Sequence, residues 1–212
     1  VWVSMSKETA HQLGTPVSSL AGWVEILQQD YPEMSMSREI ALDVARLEKI
    51  TERFSRIGSR VALRDENLVS IITGTITYLK TRTSSKVSFI FDSDPERDVI
   101  IPLNAALFEW AIENISKNAI DAMEGSGIIT YRISETENNI HVDISDTGKG
   151  IPKTAYKKIF NPGYTTKKRG WGLGLSLSKR IIDEYHNGKI FVRSSEIGKG
   201  SCIRIMMRKS ND

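Results

Sequence analysis

Disulfides, membrane spans and a strong charge bias are all missing from this chain of 212 residues. Its single cysteine, Cys202, can form no intrachain disulfide and offers no Cys pair to zinc, so a reducing compartment is the default expectation. No run of about 18 apolar residues occurs, so no helical membrane span is expected. The opening Val1-Trp2-Val3-Ser4 carries no signal-peptide pattern and runs straight into a helical one, as expected of a soluble fragment from inside a longer chain. Lysine and arginine number 29 against 26 acids, a net charge of +3, which gives no footing for nucleic acid as a partner. What is present is ordinary for a globular protein: 40% hydrophobic and 26% charged residues.

The first third follows a helical period. Leu13, Val17, Leu20, Val24 and Leu27 recur at a 4-3-4-3 spacing that draws one seam along a helix. Asp30-Tyr31-Pro32-Glu33 interrupts it. Ile40, Val44, Leu47, Thr51, Phe54, Gly58 and Val61 then resume the same spacing. Two such helices make a hairpin that buries too little to stand alone, so pairing with a second copy as a four-helix bundle is expected.

After about Asp65 the pattern changes. A helix is expected over Leu68–Leu79, strands at Val87–Phe91 and Val99–Ile101, and a helix from Asn104 to Met123. A hairpin of Ile128–Ile133 and Ile140–Ser145 follows, then a short helix near Lys153–Phe160. A helix over Leu173–Tyr185 and strands Lys189–Ser194 and Cys202–Met207 complete an α/β sandwich, mostly antiparallel, with one long irregular loop. The expected division is residues 1–65 and 66–212. A loop of that length in a compact domain is usually functional.

Four segments of the second part carry chemistry. Asn114 and Asn118 lie four apart on one helix, so their amides share a face, and an amide oxygen suits Mg²⁺. Asp146-Thr147-Gly148-Lys149-Gly150-Ile151 leaves a strand for a glycine turn, where backbone can approach a ligand and the carboxylate can accept from an exocyclic amine. Gly170-Trp171-Gly172-Leu173-Gly174-Leu175 opens a helix whose free N–H groups suit phosphate. Between them, Ile159 to Arg169 reads as a flexible lid ending in three cations, Lys167, Lys168 and Arg169.

Each segment alone is weak, but their order and spacing resemble the N, G1, F and G2 boxes of the GHKL (Bergerat) ATP-binding fold of histidine kinases, over residues 66–212. The resemblance implies ATP and Mg²⁺ as cofactors. Adenine would be held by Asp146 with Gly148, Gly150 and Ile151, and Mg²⁺ by Asn118 with Asn114 close by. The phosphates would lie among Thr165, Thr166, Lys167, Gly170, Gly172, Leu173, Gly174 and Leu175. Gly198-Lys199-Gly200-Ser201 is similar to a later family segment in which Ser201 frames the adenine pocket.

Ala10-His11-Gln12-Leu13-Gly14-Thr15-Pro16 resembles the H box of dimeric sensor histidine kinases, in which the histidine accepts the γ-phosphoryl group. Extending the seam back from Leu13 puts His11 beside it, facing solvent, as a nucleophile requires. Pro16 removes a backbone donor and is expected to bend the helix there. The resemblance implies a catalytic set of His11, Gln12 and Thr15, a homodimer through the hairpin, and transfer to an aspartate of a response-regulator receiver domain. It also implies a cytoplasmic portion of a parent anchored in the bacterial inner membrane through segments upstream. Two departures stand out: the family acid after the histidine is Gln12, and the Lys-Tyr pair common after the second Asn is Asp121-Ala122. One alternative is a nucleotide-binding scaffold without efficient transfer. Another is a GHKL ATPase, whose base glutamate would fall at Asn114. No role is assigned to Cys202, His141 or His186.

Overall fold

A computed structural model describes residues 2–31, 34, 36–37, 40–41, 43–45, 47, 61–167 and 172–209; side chains at 2–13 and 15 lie outside the description. The chain divides into two compact units, Val1–Val61 and Ala62–Asp212. The first contains helix α1 (Trp2–Asp30), which runs through Pro16. Tyr31 N–H donates to the Leu27 carbonyl at 2.9 Å as the helix closes. Described residues between 36 and 47 are helical again, whereas Thr51, Phe54 and Gly58 fall outside the described residues. The seam is not uniform: Val17, Val24 and Val44 are buried, yet Leu20 and Leu47 stay 46% and 43% exposed. One edge of the stripe is therefore buried, and the other stays partly exposed to solvent.

The second unit begins with β1 (Arg64–Asn67), paired antiparallel with β3 (Ile100–Leu103) in a separate two-stranded sheet. A division after residue 65 would cut β1 in two, so the boundary belongs at Val61/Ala62. Asn67 caps α2 (Leu68–Lys80) by accepting from Val69 N–H at 3.0 Å. Strand β2 (Val87–Phe91) has the bounds its sequence implies. Strand β3 starts later than Val99, whose carbonyl instead accepts from Leu68 N–H at 2.9 Å. Asn104 caps α3 (Ala105–Ala122) through Leu107 N–H at 3.1 Å.

A hairpin, β4 (Gly127–Glu135) and β5 (Asn139–Asp146), precedes two 3₁₀ turns, Lys153–Ala155 and Lys158–Phe160, which replace the expected single helix. Helix α4 (Gly174–Arg180) widens into a π-helical turn, Ile181–Tyr185, before β6 (Lys189–Glu196) and β7 (Gly200–Arg208). The π turn ends in a ring: His186 Nδ1–H donates to the Ile181 carbonyl at 2.8 Å, five residues back, and Nε2 accepts from Asn104 N–H at 3.0 Å. Burial holds the imidazole below its ordinary pKa.

The main sheet has the order β2-β4-β5-β7-β6. Pairing is antiparallel except between β2 and β4, whose parallel register is reached through α3. Alternation sends Ile129 and Tyr131 of β4, Val142 and Ile144 of β5, and Ile203 and Ile205 of β7 inward. They share the core with Leu68 and Ile72 of α2, Phe108, Ile112 and Ile115 of α3, and Ile181. Each such side chain contributes about 1.5–3 kcal/mol by leaving water. Tyr131 hydroxyl meets Ser116 Oγ at 2.7 Å beneath α3, and burial pushes that phenol up to about 12. On the opposite face, buried Asp143 is clamped by Arg204 at 2.6 and 2.7 Å and by Arg193 at 2.5 Å. Burial alone would raise its pKa, but the two guanidinium groups outweigh it and hold the carboxyl below its ordinary range.

Candidate functional site

The same alternation fixes where Asp146 and Ser201 point. Asp146 shares parity with Val142 and Ile144, and Ser201 with Ile203 and Ile205, so both emerge on the helix-covered face where those strands meet. They are direct partners in the β5–β7 register, and Ser201 Oγ donates to Asp146 Oδ2 at 2.9 Å. The other carboxylate oxygen, Oδ1, accepts from Gly148 N–H at 2.8 Å. Two fixed donors thus hold the carboxylate plane while its remaining lone pairs stay available as acceptors.

The glycines of the turn have a reason within the fold itself. A Cβ at Gly148 would lie 2.7 Å from the carbonyl oxygen of Ala122 at the end of α3. At Gly150, where φ is +77°, it would strike the Glu196 carbonyl, and at Gly200, where φ is +123°, that of Asp146. Close approach of backbone to backbone requires them. Lys149 N–H donates to Ala122 O at 3.0 Å, and Gly198 N–H to Lys149 O at 2.9 Å. Ile151 N–H donates to Ser195 Oγ at 2.7 Å, and that hydroxyl donates to Gly200 O at 3.0 Å. Ser195 is therefore the joint between the turn and the 196–200 loop, and no motif in the sequence marks it.

The two asparagines meet the glycine-opened helix. Asn118 Nδ2 donates to the Asn114 carbonyl at 3.0 Å, and Asn114 Nδ2 to the Gly174 carbonyl at 3.4 Å. A Cβ on Gly174 would sit 3.8 Å from both Asn114 Cγ and Asn118 Nδ2, an ordinary contact. Gly172, at φ +64°, could carry no side chain, because the Gly163 backbone lies 2.6 Å from where its Cβ would be. Gly163 N–H donates to Gly172 O at 3.1 Å, which ties the loop shut at its base. Leu173 and Leu175 are half-buried at the start of α4. Thr165, Thr166 and Lys167 are exposed on the loop, and Thr165 Oγ1 accepts from Lys167 N–H at 3.1 Å. Gly170, expected among the phosphate contacts, lies outside the described residues.

Asn118 turns its Oδ1 outward, where it accepts from Lys167 Nζ at 2.8 Å. The same ammonium pairs with Asp121. That amide oxygen already holds a cation, which is the donor chemistry Mg²⁺ requires. His11, Gln12 and Thr15 lie on α1, so the last is one turn beyond the first. They belong to the other compact unit.

Residues 104–211 match the family described as "Histidine kinase-, DNA gyrase B-, and HSP90-like ATPase". The chain belongs to that family. As a family member of the GHKL type, it has the α/β fold the motifs imply, and further similarity extends over both of its units. It is 28% identical over 207 residues to Sporulation kinase C of Bacillus subtilis (strain 168), an alignment covering 96% of this chain and 48% of that protein. The chain therefore spans about half the length of that curated relative. The solved catalytic domain of histidine kinase ThkA superposes with a TM-score of 0.62 at 26% identity, over 70% of this chain and 97% of that one. ThkA in complex with response regulator protein TrrA gives 0.64 at 24%, over 98% of this chain and 61% of that one, a likeness of fold.

Proposed function

We propose that this GHKL chain is the core of a protein-histidine kinase: it binds ATP with Mg²⁺, phosphorylates His11, and passes the phosphoryl group to an aspartate of a response regulator. The observation that carries the reading is the meeting of four separated segments around α3: Gly148 against Ala122, Lys167 on Asn118 and Gly174 beside Asn114 and Asn118, with Asp146 preset by Ser201 and Gly148. Asp146 accepts the adenine amine, and the backbone from Gly172 to Leu175 faces the phosphates with Thr165, Thr166 and Lys167. Bound Mg²⁺·ATP supplies the γ-phosphoryl group and neutralises its charge. The chain's own part is to orient it, and positioning together with electrostatic stabilisation accounts for most phosphoryl-transfer catalysis. Asn118 is the proposed Mg²⁺ ligand.

On α1, His11 attacks as a neutral imidazole. Gln12 replaces the usual acid; its amide can fix the ring by one hydrogen bond but cannot take a proton. Thr15 is the proposed holder of a water for dephosphorylating the partner regulator. The exposed edge of the seam, Leu20 and Leu47, supports closure of a dimeric four-helix bundle against a second copy. Kinase names among the relatives, and the ThkA complex with its regulator, support the partner assignment. Anchoring of the parent protein at the inner membrane is part of this proposal; among the described residues no helix is long and apolar enough to cross a membrane.

A water-activating ATPase is disfavoured by the helix itself. The base position is Asn114, and neighbouring Glu113 is buried against Lys117 Nζ at 2.6 Å. A scaffold that binds nucleotide without transfer is favoured only by Gln12. Mixing the chain with γ-labelled ATP, Mg²⁺ and a receiver domain separates the readings: a kinase labels itself first and the receiver second, an ATPase releases phosphate only, and a scaffold does neither.

A further inference from the structure

The ion pair between Asp121 and Lys167 sits at the point where the site must accept a metal. Asn118 and Asp121 are three apart on α3, so they share a face. Donation from Asn118 Nδ2 to Asn114 O locks the amide, which leaves Oδ1 aimed at the Lys167 ammonium, 2.8 Å away. Asp121 grips the same ammonium. A neutral and an anionic oxygen therefore converge on one cation. Side chains of Lys167 and Asp121 are 40% and 53% exposed, so the contact is wet and exchangeable rather than buried and permanent.

We propose that Asn118 and Asp121 form a two-oxygen cation seat which Lys167 fills in the nucleotide-free chain, and that Mg²⁺ arriving with the nucleotide takes the seat and releases the ammonium to the phosphates. This rests on the ATP reading above and adds Asp121 to its cation site. The physical reason is competition. An ammonium and a hard divalent ion want the same oxygen lone pairs, and two cations repel at that distance. The ammonium is a point charge on a flexible four-carbon stem, so it can leave while its backbone stays tied to Thr165 Oγ1. Displacement turns a cation that blocks the metal into one that meets the anion the metal carries.

A double-mutant cycle on binding isolates the exchange, since it cancels whatever else either residue does. Affinity for the non-hydrolysable analogue AMPPNP is measured by calorimetry for the whole 212-residue chain, Asp121→Asn, Lys167→Met and the double variant, in Mg²⁺ and in EDTA. If the pair exists free and breaks on binding, the product of the wild-type and double-variant Kd exceeds the product of the two single-variant values. For an exposed pair the excess should be about 1.5- to 5-fold in Mg²⁺ and fall towards one in EDTA. A ratio of one or less in Mg²⁺, or an equal ratio in EDTA, overturns the exchange. A wild-type chain that binds no nucleotide in either buffer overturns the ATP reading itself.

Discussion

Ser201 Oγ donates to Asp146 Oδ2 at 2.9 Å, and the two residues face each other across β5 and β7. With Gly148 N–H on the other oxygen, the hydroxyl helps aim a carboxylate that the strand alone would leave free to rotate. Asp146→Asn keeps the shape and can still accept from Gly148 N–H, but it loses the anionic acceptor. ATP affinity should fall about 10- to 100-fold, the worth of a hydrogen bond to a charged group. Ser201→Ala, which removes only the aim, should cost about two- to tenfold. Calorimetry on both variants, with unfolding checked by circular dichroism, reads the difference.

Glycine positions near the site differ in a way that stability can resolve. Gly200→Ala meets both a positive φ and the Asp146 carbonyl, whereas Gly198→Ala meets only a positive φ of +79° in open space. The first should cost about 2–4 kcal/mol and the second about 1 kcal/mol. Urea denaturation of the two variants measures the gap, and equal losses would mean that the clash relaxes freely.

His186 makes stability depend on pH with a definite sign. Its folded pKa lies below the ordinary 6.5 because burial penalises the imidazolium. Below about pH 6.5 the unfolded chain binds a proton that the folded chain refuses, so stability is complete above that value and is lost as pH falls towards the folded pKa. The slope from this one group reaches about 1.4 kcal/mol per pH unit. Denaturation curves between pH 7.5 and 5.5 should flatten in His186→Gln; an unchanged slope would assign the effect to other groups.

Helix α1 and the segment after it should hold two chains together. Replacing Leu20 and Leu47 by Glu puts charge where the exposed edge of the seam would be covered by a second copy. Sedimentation should then show monomers, with AMPPNP affinity unchanged because the 62–212 unit keeps its own core.

What could be foreseen followed from how local each signal is. Val87–Phe91 is a short run of β-branched and aromatic residues broken only by Ser88, and it emerged with those bounds; Asn104 and Met123 do flank α3. Arg64–Asn67 has no apolar residue at all; it is a strand only because β3 lies beside it. Nothing local distinguishes the π turn at Ile181–Tyr185, which is closed by a ring reaching Asn104, 82 residues away. The site glycines were visible, but the backbone contacts they admit were not, since the fold brings those backbones up. The pairing of Asp121 with Lys167 likewise joins a helix to a loop 46 residues later. Sequence showed the acid as a departure from a pattern and could not show its partner.

Chemistry at His11 tests the whole account most directly. The chain and His11→Gln are incubated with γ-labelled ATP and Mg²⁺, the label is challenged with acid and with alkali, and AMPPNP affinity is measured in parallel. The account predicts an acid-labile, alkali-stable label on the wild-type chain and none on His11→Gln, with equal affinity in both. Label retained by His11→Gln, or a wild-type chain that binds nucleotide and stays unlabelled, would contradict it.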